Sequence, residues 1–493
     1  MNEREQLALS RRRFLQLAAA TTTPVAAASC RKRRRESASC SRSFIGPSTL
    51  SSAGDDIRPR ALLSFEMSAD TQKVAAAARR VLDDNRQTGV SGWDGKRYDF
   101  VCPSGLTYPF QWLWDSAFHA IALVHVDVER AAQELRCLLQ GAQPDGFIPH
   151  MLLWEKSAHE AALREYSITL LHPYFTSITQ PPVLARAIER VFAASGDTAF
   201  LCEVLPPTLR FFRWLKAFRD PDDDLLIATI QPDESGLDAS PKYDRIMGVP
   251  MDPPEDTLPT LTRSMDRLFA EYEPLRRDPA RLLPLDRFVW EDVMVNTIYA
   301  DGLRRLGPLC RAAGYPELEA REFEDRATRV RQALEAKCWD DERGVFWDLA
   351  GWREEPARTL TFSSLFPLVL ADLDPHKAAR LIDEHLLNER EFWLPYPIPS
   401  TAASEPAFDP GWRTKTTWRG PTWVAVNWYL YWGLREHGRT DVASELARRT
   451  LEMVERGGMR EFFDPRTAEG QGAPSFGMTT LVLDLIAAEG LPA

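Results

Sequence analysis

Histidine and cysteine are sparse in this chain, at 8 and 7 of 493 residues. The histidines are scattered, with no H-E-x-x-H and no close Cys/His cluster. That excludes the usual catalytic zinc arrangements, and no metal is expected in the chemistry. Cys30, Cys40, Cys102, Cys137, Cys202, Cys310 and Cys338 show no C-x-x-C spacing and no regular framework. Free buried thiols are the expectation. There is no G-x-x-x-x-G-K-[ST] and no G-x-G-x-x-G after a strand, so nucleotide binding has no support and no cofactor is expected. There is no G-x-S-x-G elbow for a serine nucleophile. Positive charge is not in excess, since the net charge is −11, which argues against a nucleic-acid partner. A long apolar run is missing too. The uncharged stretch Phe14–Ser29 has 16 residues, too few to favour an integral membrane span. Long β-alternation is scarce.

What is present begins with aromatics: 15 Trp, 24 Phe and 11 Tyr in a chain that is 44% hydrophobic. Such a chain buries a large core, and exposed Trp faces stack on sugar rings. Residues 1–66 stand apart. "SRRRFLQLAAATTTPVAAASC" joins a twin-arginine pair to the uncharged stretch, as a Tat-type export signal does. "AASC", ending at Cys30, is a loose lipobox. A periplasmic or lipid-anchored protein is the favoured expectation. "RKRRR" at 31–35 and the Ser-rich 36–66 fit a disordered linker. They fit equally a start placed too far upstream, with Met67 the true start and a cytoplasmic protein. Residues 67–493 read as a single domain.

From Met67 onward helical patterns follow one another. "KVAAAARRVLDDNR" (73–86) puts Val74, Ala77, Ala78, Val81 and Leu82 on one face. "VERAAQELRCLLQG" (128–141) and "QPPVLARAIERVFAASGD" (180–197) behave alike, the latter with prolines in its first turn. Further helices are expected near 203–219, 291–313, 317–338, 374–388, 421–437, 441–457 and 476–489. Weaker patterns lie near 115–126, 257–270 and 361–372. Three connections resemble one another: "RDPDDDLLI" (219–227), "WDDERGVFWDL" (339–349) and "FDPRTAEGQG" (463–472). Each is expected to form a short hairpin on one rim. Helix pairs that cannot bury an apolar face alone must stack, and about six pairs close economically into an α/α toroid. The expected fold is all-α, with short hairpins and long loops on one rim.

Three segments could carry chemistry. "YPFQWLWDSAFHAIAL" (108–123) gathers Tyr108, Trp112, Trp114 and Asp115 before a helix; Asp115 serves equally as a helix cap. "QPDESGLDASPKYD" (231–244) holds Asp233, Glu234 and Asp238 within six residues. "TKTTWRGPTWVAVNWYLYWGL" (414–434) crowds Trp418, Arg419, Trp423 and Asn427 at a helix start. Together they describe an aromatic cleft with carboxylates, as a sugar site requires. Glycoside hydrolysis uses one protonated and one ionised carboxyl group. Glu461, set among aromatics before a Gly-rich loop, is a second acid or a plain surface residue. Asp222, Asp223 and Asp224 lack calcium-loop spacing and read as a solvated turn.

Five motifs in order, "QWLWDSAF", "QPP" (180–182), "ESGLDASPKYD", "TWRGPTWVAVNW" and "EFFDPRTAEGQGAPSFG", resemble glycoside hydrolase family 63. The likeness runs from 108 to 477 and is greatest to its small mannosylglycerate and glucosylglycerate hydrolase branch. It implies an (α/α)6 barrel and an inverting mechanism on a small α-glucoside or α-mannoside. The general acid would be Asp238 and the general base Glu461. Tyr108, Trp112, Asp115, His150, Gln180, Gly236, Trp418 and Trp423 would form the sugar pocket. Glu234, Arg419 and Gln471 are also taken as substrate-binding, Glu234 as a neighbour that tunes Asp238. Two departures stand out: Asp233 where relatives resemble "HPWESG", and Thr417 where they resemble "YWRGP". A stacking wall and a hydroxyl are thereby lost, and an anionic Asp233 has the wrong sign for a glycerate carboxylate. An oligosaccharide α-glucosidase, a trehalase-like hydrolase and a non-catalytic sugar-binding protein are the alternatives.

Overall fold

The computed structural model describes residues 69–155, 170–172, 174–220, 222–250, 254–275 and 278–493. The export-signal segment read over residues 1–66 lies outside them. Helices dominate, and their arrangement fits an α/α toroid. Two kinds of helix alternate. Leu113–Leu123 is buried along its whole length, and Val293–Ala312 and Val424–Glu436 are buried over most of theirs. Each is followed by a helix with one apolar face. Glu317–Ala333 buries Ala320, Phe323, Ala327 and Val330, and Thr440–Gly457 buries Val442, Leu446, Ala447, Leu451 and Val454. That spacing covers one stripe and leaves the other side to solvent.

The packing follows from these faces. Leu113–Leu123 lies on Val128–Leu139, Val293–Ala312 on Glu317–Ala333, and Val424–Glu436 on Thr440–Gly457. The buried elements also meet one another in turn. Leu113–Leu123 packs on Leu184–Ser195, and that helix on Val293–Ala312. Next come the 3-10 segment Phe362–Val369, Val424–Glu436 and the 3-10 segment Gly477–Leu481, which returns to Leu113–Leu123. Asp70, Asp127, Asp197, Asp292 and Asp374 accept backbone N–H bonds at five helix starts. Each such cap contributes about 1 kcal/mol and fixes where a connection ends.

Most expected helices are present, with shifted ends. In the 180–197 segment the helix begins only at Leu184, so Pro181 and Pro182 precede it and are not in its first turn. The 361–372 segment is a 3-10 helix, with Pro367 inside it denying a backbone donor. Of the three expected hairpins, two exist: Trp339–Asp340 pairs with Val345–Phe346, and Arg460–Phe463 with Gly470–Pro474. Among the described residues of the 219–227 segment there is no strand. Its backbone donors go to side chains: Asp224 N–H to Asp220 Oδ1 at 3.0 Å, and Leu226 N–H to Asp224 Oδ1 at 2.9 Å. Nor is its acidic run a solvated turn throughout, since only Asp223 is exposed while Asp222 and Asp224 are half-buried. Cys102, Cys137, Cys310 and Cys338 are free and buried, as expected. Among the described residues no helix is long and apolar enough to cross a membrane.

Candidate active site

Four chain segments supply the acids and indoles of a cavity of about 380 Å³. The first is the short strand Gln111–Trp112 running into the helix Leu113–Leu123. Trp112 occupies the cap position, with no side-chain cap bond, so Asp115 is not a cap. It sits in the first turn and faces the cavity. Burial pushes its carboxyl up to about 8, and the charge of Glu461 adds to that.

The second segment is the 3-10 turn Pro232–Ser235, closed by Gly236 in the left-handed region at φ 71°. A Cβ on Gly236 would run into the Trp114 ring, so only glycine lets the turn lie against that indole. Asp233 and Asp238 both line the cavity; Glu234 does not. Glu234 is buried behind the turn, accepting from Arg219 Nη2 at 2.6 Å, Ile230 N–H at 2.9 Å and Thr179 N–H at 3.2 Å. It is a strut under the Asp238 segment. Expected to touch substrate, it instead spends these three bonds on the protein and lies outside the cavity lining.

The third segment is 414–423. Trp418 has a left-handed backbone, φ 65°, uncommon for a bulky residue. Its indole stacks on Trp423 at 3.9 Å and 7°, which holds both rings as one wall. Trp423 Nε1 is buried without a hydrogen-bond partner among the described residues. Thr417 donates to Asp238 Oδ2 at 3.3 Å. Asp238 opens onto the cavity but lies deep enough for desolvation to raise its carboxyl, against the bonds from Thr417 and Trp418. Arg419 does not reach the cavity. It turns to Asp244, with one bond of 2.9 Å, because a buried guanidinium needs a carboxylate partner.

The fourth segment is the hairpin Arg460–Phe463 with Gly470–Pro474. Its register shifts between Arg460 and Phe462, a bulge that re-aims Glu461. Glu461 Oε1 accepts from the Tyr108 hydroxyl at 3.1 Å, and Oε2 from Ala473 N–H at 2.7 Å. Burial nevertheless takes its carboxyl up to about 7; these two bonds pull down and the charge of Asp238 pushes up. Gln471 lies on the same hairpin but donates to the Pro410 carbonyl at 3.2 Å and is not among the cavity residues.

The sequence profile of the mannosylglycerate hydrolase MGH1-like glycoside hydrolase domain matches residues 108–479. The chain belongs to this family. It is therefore a glycosidase. It is similar to the mannosylglycerate hydrolase of Thermus thermophilus, 33% identical over 413 residues, or 76% of this chain and 94% of that protein. It is similar also to the glucosylglycerate hydrolase of Mycolicibacterium hassiacum, 28% identical over 406 residues, or 75% and 89% of the two chains. The crystal structure of a family 63 mannosylglycerate hydrolase from Thermus thermophilus with Tris and D-glycerate matches with a TM-score of 0.71 at 30% identity. That match covers 83% of this chain and 99% of the other.

Ten residues expected at the site of this glycosidase do meet at the cavity: Tyr108, Trp112, Asp115, His150, Gln180, Gly236, Asp238, Trp418, Trp423 and Glu461. His150 holds Thr176 Oγ1 at 2.5 Å, and burial takes its imidazole down to about 3, so the ring is neutral. Gln180 accepts from Trp114 N–H at 3.3 Å. Sequence reasoning missed one whole wall. The helix Thr257–Tyr272 presents Leu258, Leu261, Thr262, Met265 and Phe269 to the cavity. Their helical spacing was visible, but nothing in it distinguishes a cavity wall from a core face. Lys415 was missed too; its ammonium lies 4.5 Å from the Trp412 ring centre, and it lines the cavity.

Proposed function

We propose that this protein is an inverting glycosidase of a small α-mannoside or α-glucoside, built on an (α/α)6 barrel. The barrel reading rests on the ring of six buried elements, each packed on the next. The observation that carries the reaction is the pairing of Asp238 and Glu461 on one aromatic-walled cavity, each carboxyl raised by its surroundings. Asp238, whose raised carboxyl favours the acid form, gives its proton to the glycosidic oxygen as the bond to the anomeric carbon breaks. Glu461 takes a proton from a water that attacks the opposite face of that carbon. A base near 7 is ionised in a useful fraction at neutral pH yet basic enough to accept the proton. The paired indoles of Trp418 and Trp423 supply an apolar sugar face, and Asp115 an acceptor for hydroxyls.

The proposed substrates are mannosylglycerate and glucosylglycerate, the compounds for which the relatives are named. Two features of the cavity support an anionic aglycone. Lys415 is a cationic residue of its lining, with its ammonium over the Trp412 ring. Burial, before any neighbouring charge, raises the Asp233 carboxyl well above the ordinary range. A carboxyl so raised favours its neutral form, which does not repel a carboxylate. A cavity of about 380 Å³ fits a monosaccharide with a short aglycone. The test is hydrolysis of mannosylglycerate, glucosylglycerate, trehalose and short α-glucans by wild type, Asp238→Asn and Glu461→Gln. Glycerate glycosides are expected to be cleaved fastest, and both variants to lose about a thousandfold or more in kcat. Full turnover by either variant overturns the assignment. Export by residues 1–66 is part of the proposal, and periplasmic fractionation of cells expressing the full chain tests it.

A further inference from the structure

Just past Asp238 the sequence "SPKYD" (240–244) sets Lys242 and Tyr243 side by side, and neither lines the cavity. Both are buried. An ammonium and a phenol are costly to bury unless each finds partners, and here they share one. The Lys242 ammonium lies 2.5 Å from Asp292 Oδ2 and 2.8 Å from Asp348 Oδ2, and it donates to Ser363 Oγ at 3.0 Å. The Tyr243 hydroxyl donates to the same Asp292 Oδ2 at 2.9 Å and lies 2.8 Å from Ser235 Oγ. Asp292 is itself fixed. Its Oδ1 accepts Met294 N–H at 2.9 Å and Val295 N–H at 3.2 Å, as the cap of the helix Val293–Ala312.

Ser235 carries the path on to the acid. Its Oγ donates to the Pro232 carbonyl at 2.7 Å and accepts Leu237 N–H at 3.1 Å. Leu237 immediately precedes Asp238. A continuous path therefore runs from the helix cap at Asp292, through Tyr243 and Ser235, to the backbone beside Asp238. Residues 235–243 form a loop pinned at both ends, by Ser235 at one and by Lys242 and Tyr243 at the other. A carboxyl that faces an open cavity is aimed chiefly by its backbone, so the pins set where the Asp238 proton points.

We propose that Tyr243 is a positioning residue for the acid step. Held at Asp292, it fixes Ser235 and Leu237 and so keeps Asp238 in reach of the glycosidic oxygen. The inference rests on the reading of Asp238 as the general acid. Tyr243 touches neither the cavity nor the reacting atoms, and acts only through this path.

The test gives full-length protein two substrates that differ in their need for a proton. A glycerate glycoside expels an alkoxide, so its oxygen must take the Asp238 proton as the bond to carbon breaks. In the matching α-glycosyl fluoride the fluoride leaves with the bonding pair and needs no proton, while the attacking water still gives one to Glu461. Tyr243→Phe and Ser235→Ala are each expected to lower kcat on the glycoside about ten- to a hundredfold, with KM within about threefold. On the fluoride each is expected to stay within about threefold of wild type. Equal losses on both substrates overturn the proposal, because general damage to the fold spares neither. Unchanged glycoside turnover overturns it as well. If one variant misfolds, the other decides. Asp238→Asn is the reference, expected to lose the glycoside and keep the fluoride. If it does not, the acid assignment falls and this inference with it. If it does, while the other variants lose both substrates equally, this inference alone falls.

Discussion

The hydroxyl of Tyr108 donates to Oε1 of Glu461 at 3.1 Å, across 353 positions of sequence. The bond favours the ionised form of Glu461, opposing the burial that raises its carboxyl to about 7. Tyr108→Phe removes it, so the carboxyl rises further. A base must be ionised to act, so the acid limb of kcat/KM moves to higher pH. Below that limb, activity falls about tenfold, as expected for a lost bond to a charged group, and recovers in more alkaline buffer. The pH profile of kcat/KM checks this. An unmoved limb separates Tyr108 from the base.

Gly472 faces the same carboxylate. Its φ is 66°, and a Cβ added there would lie 2.5 Å from Glu461 Oε2. Gly472→Ala is expected to push the base aside. A displacement near 1 Å costs about a hundredfold in kcat. The residue lies on a partly exposed strand, so Tm falls by much less than for a core change. Steady-state kinetics beside a melting curve separate the two effects.

Asp233 is read as neutral, and Asn is the isostere of a neutral Asp. Asp233→Asn is therefore expected to keep kcat within about threefold. A larger loss, with a shifted basic limb, would show that an ionised Asp233 tunes Asp238. Kinetics across pH 5–9 would tell.

Glu234 faces Arg219 in a nearly dry pair, with both side chains almost wholly buried. Glu234→Gln leaves the guanidinium uncompensated, at about 3–5 kcal/mol of stability. Because Glu234 is absent from the cavity wall, inhibition by free mannose or glucose is expected to persist in whatever protein remains folded. Urea unfolding and a monosaccharide Ki measure the two. Loss of sugar binding at unchanged stability would return Glu234 to the pocket.

The cavity was largely legible in the sequence because its residues sit in short motifs, where one glycine or indole has few geometries open to it. Gly236 against Trp114 and the stacked Trp418 and Trp423 are such cases. What the motifs could not show was direction. Glu234, Arg419 and Gln471 are beside the right residues but turn away, toward Arg219, Asp244 and Pro410. Adjacent residues point to different sides, and only the fold determines which partner each meets. Distance along the chain hid the rest. The placing of the helix Thr257–Tyr272 and the network that joins Tyr243 to Asp292 are set by tertiary packing alone. The fold itself was read from helix periodicity; the 219–227 hairpin failed because its aspartates satisfy the backbone themselves.

The central claim is that Glu461 directs a water to the face opposite the bond that Asp238 helps to break. The most direct measurement is ¹H NMR of the sugar released in the first minutes of hydrolysis, before mutarotation. An α-glycoside is expected to give the β-anomer first, with the α-anomer appearing only at the spontaneous rate. First appearance of the α-anomer would contradict the account, because it requires a covalent glycosyl-enzyme and a nucleophile in place of a base.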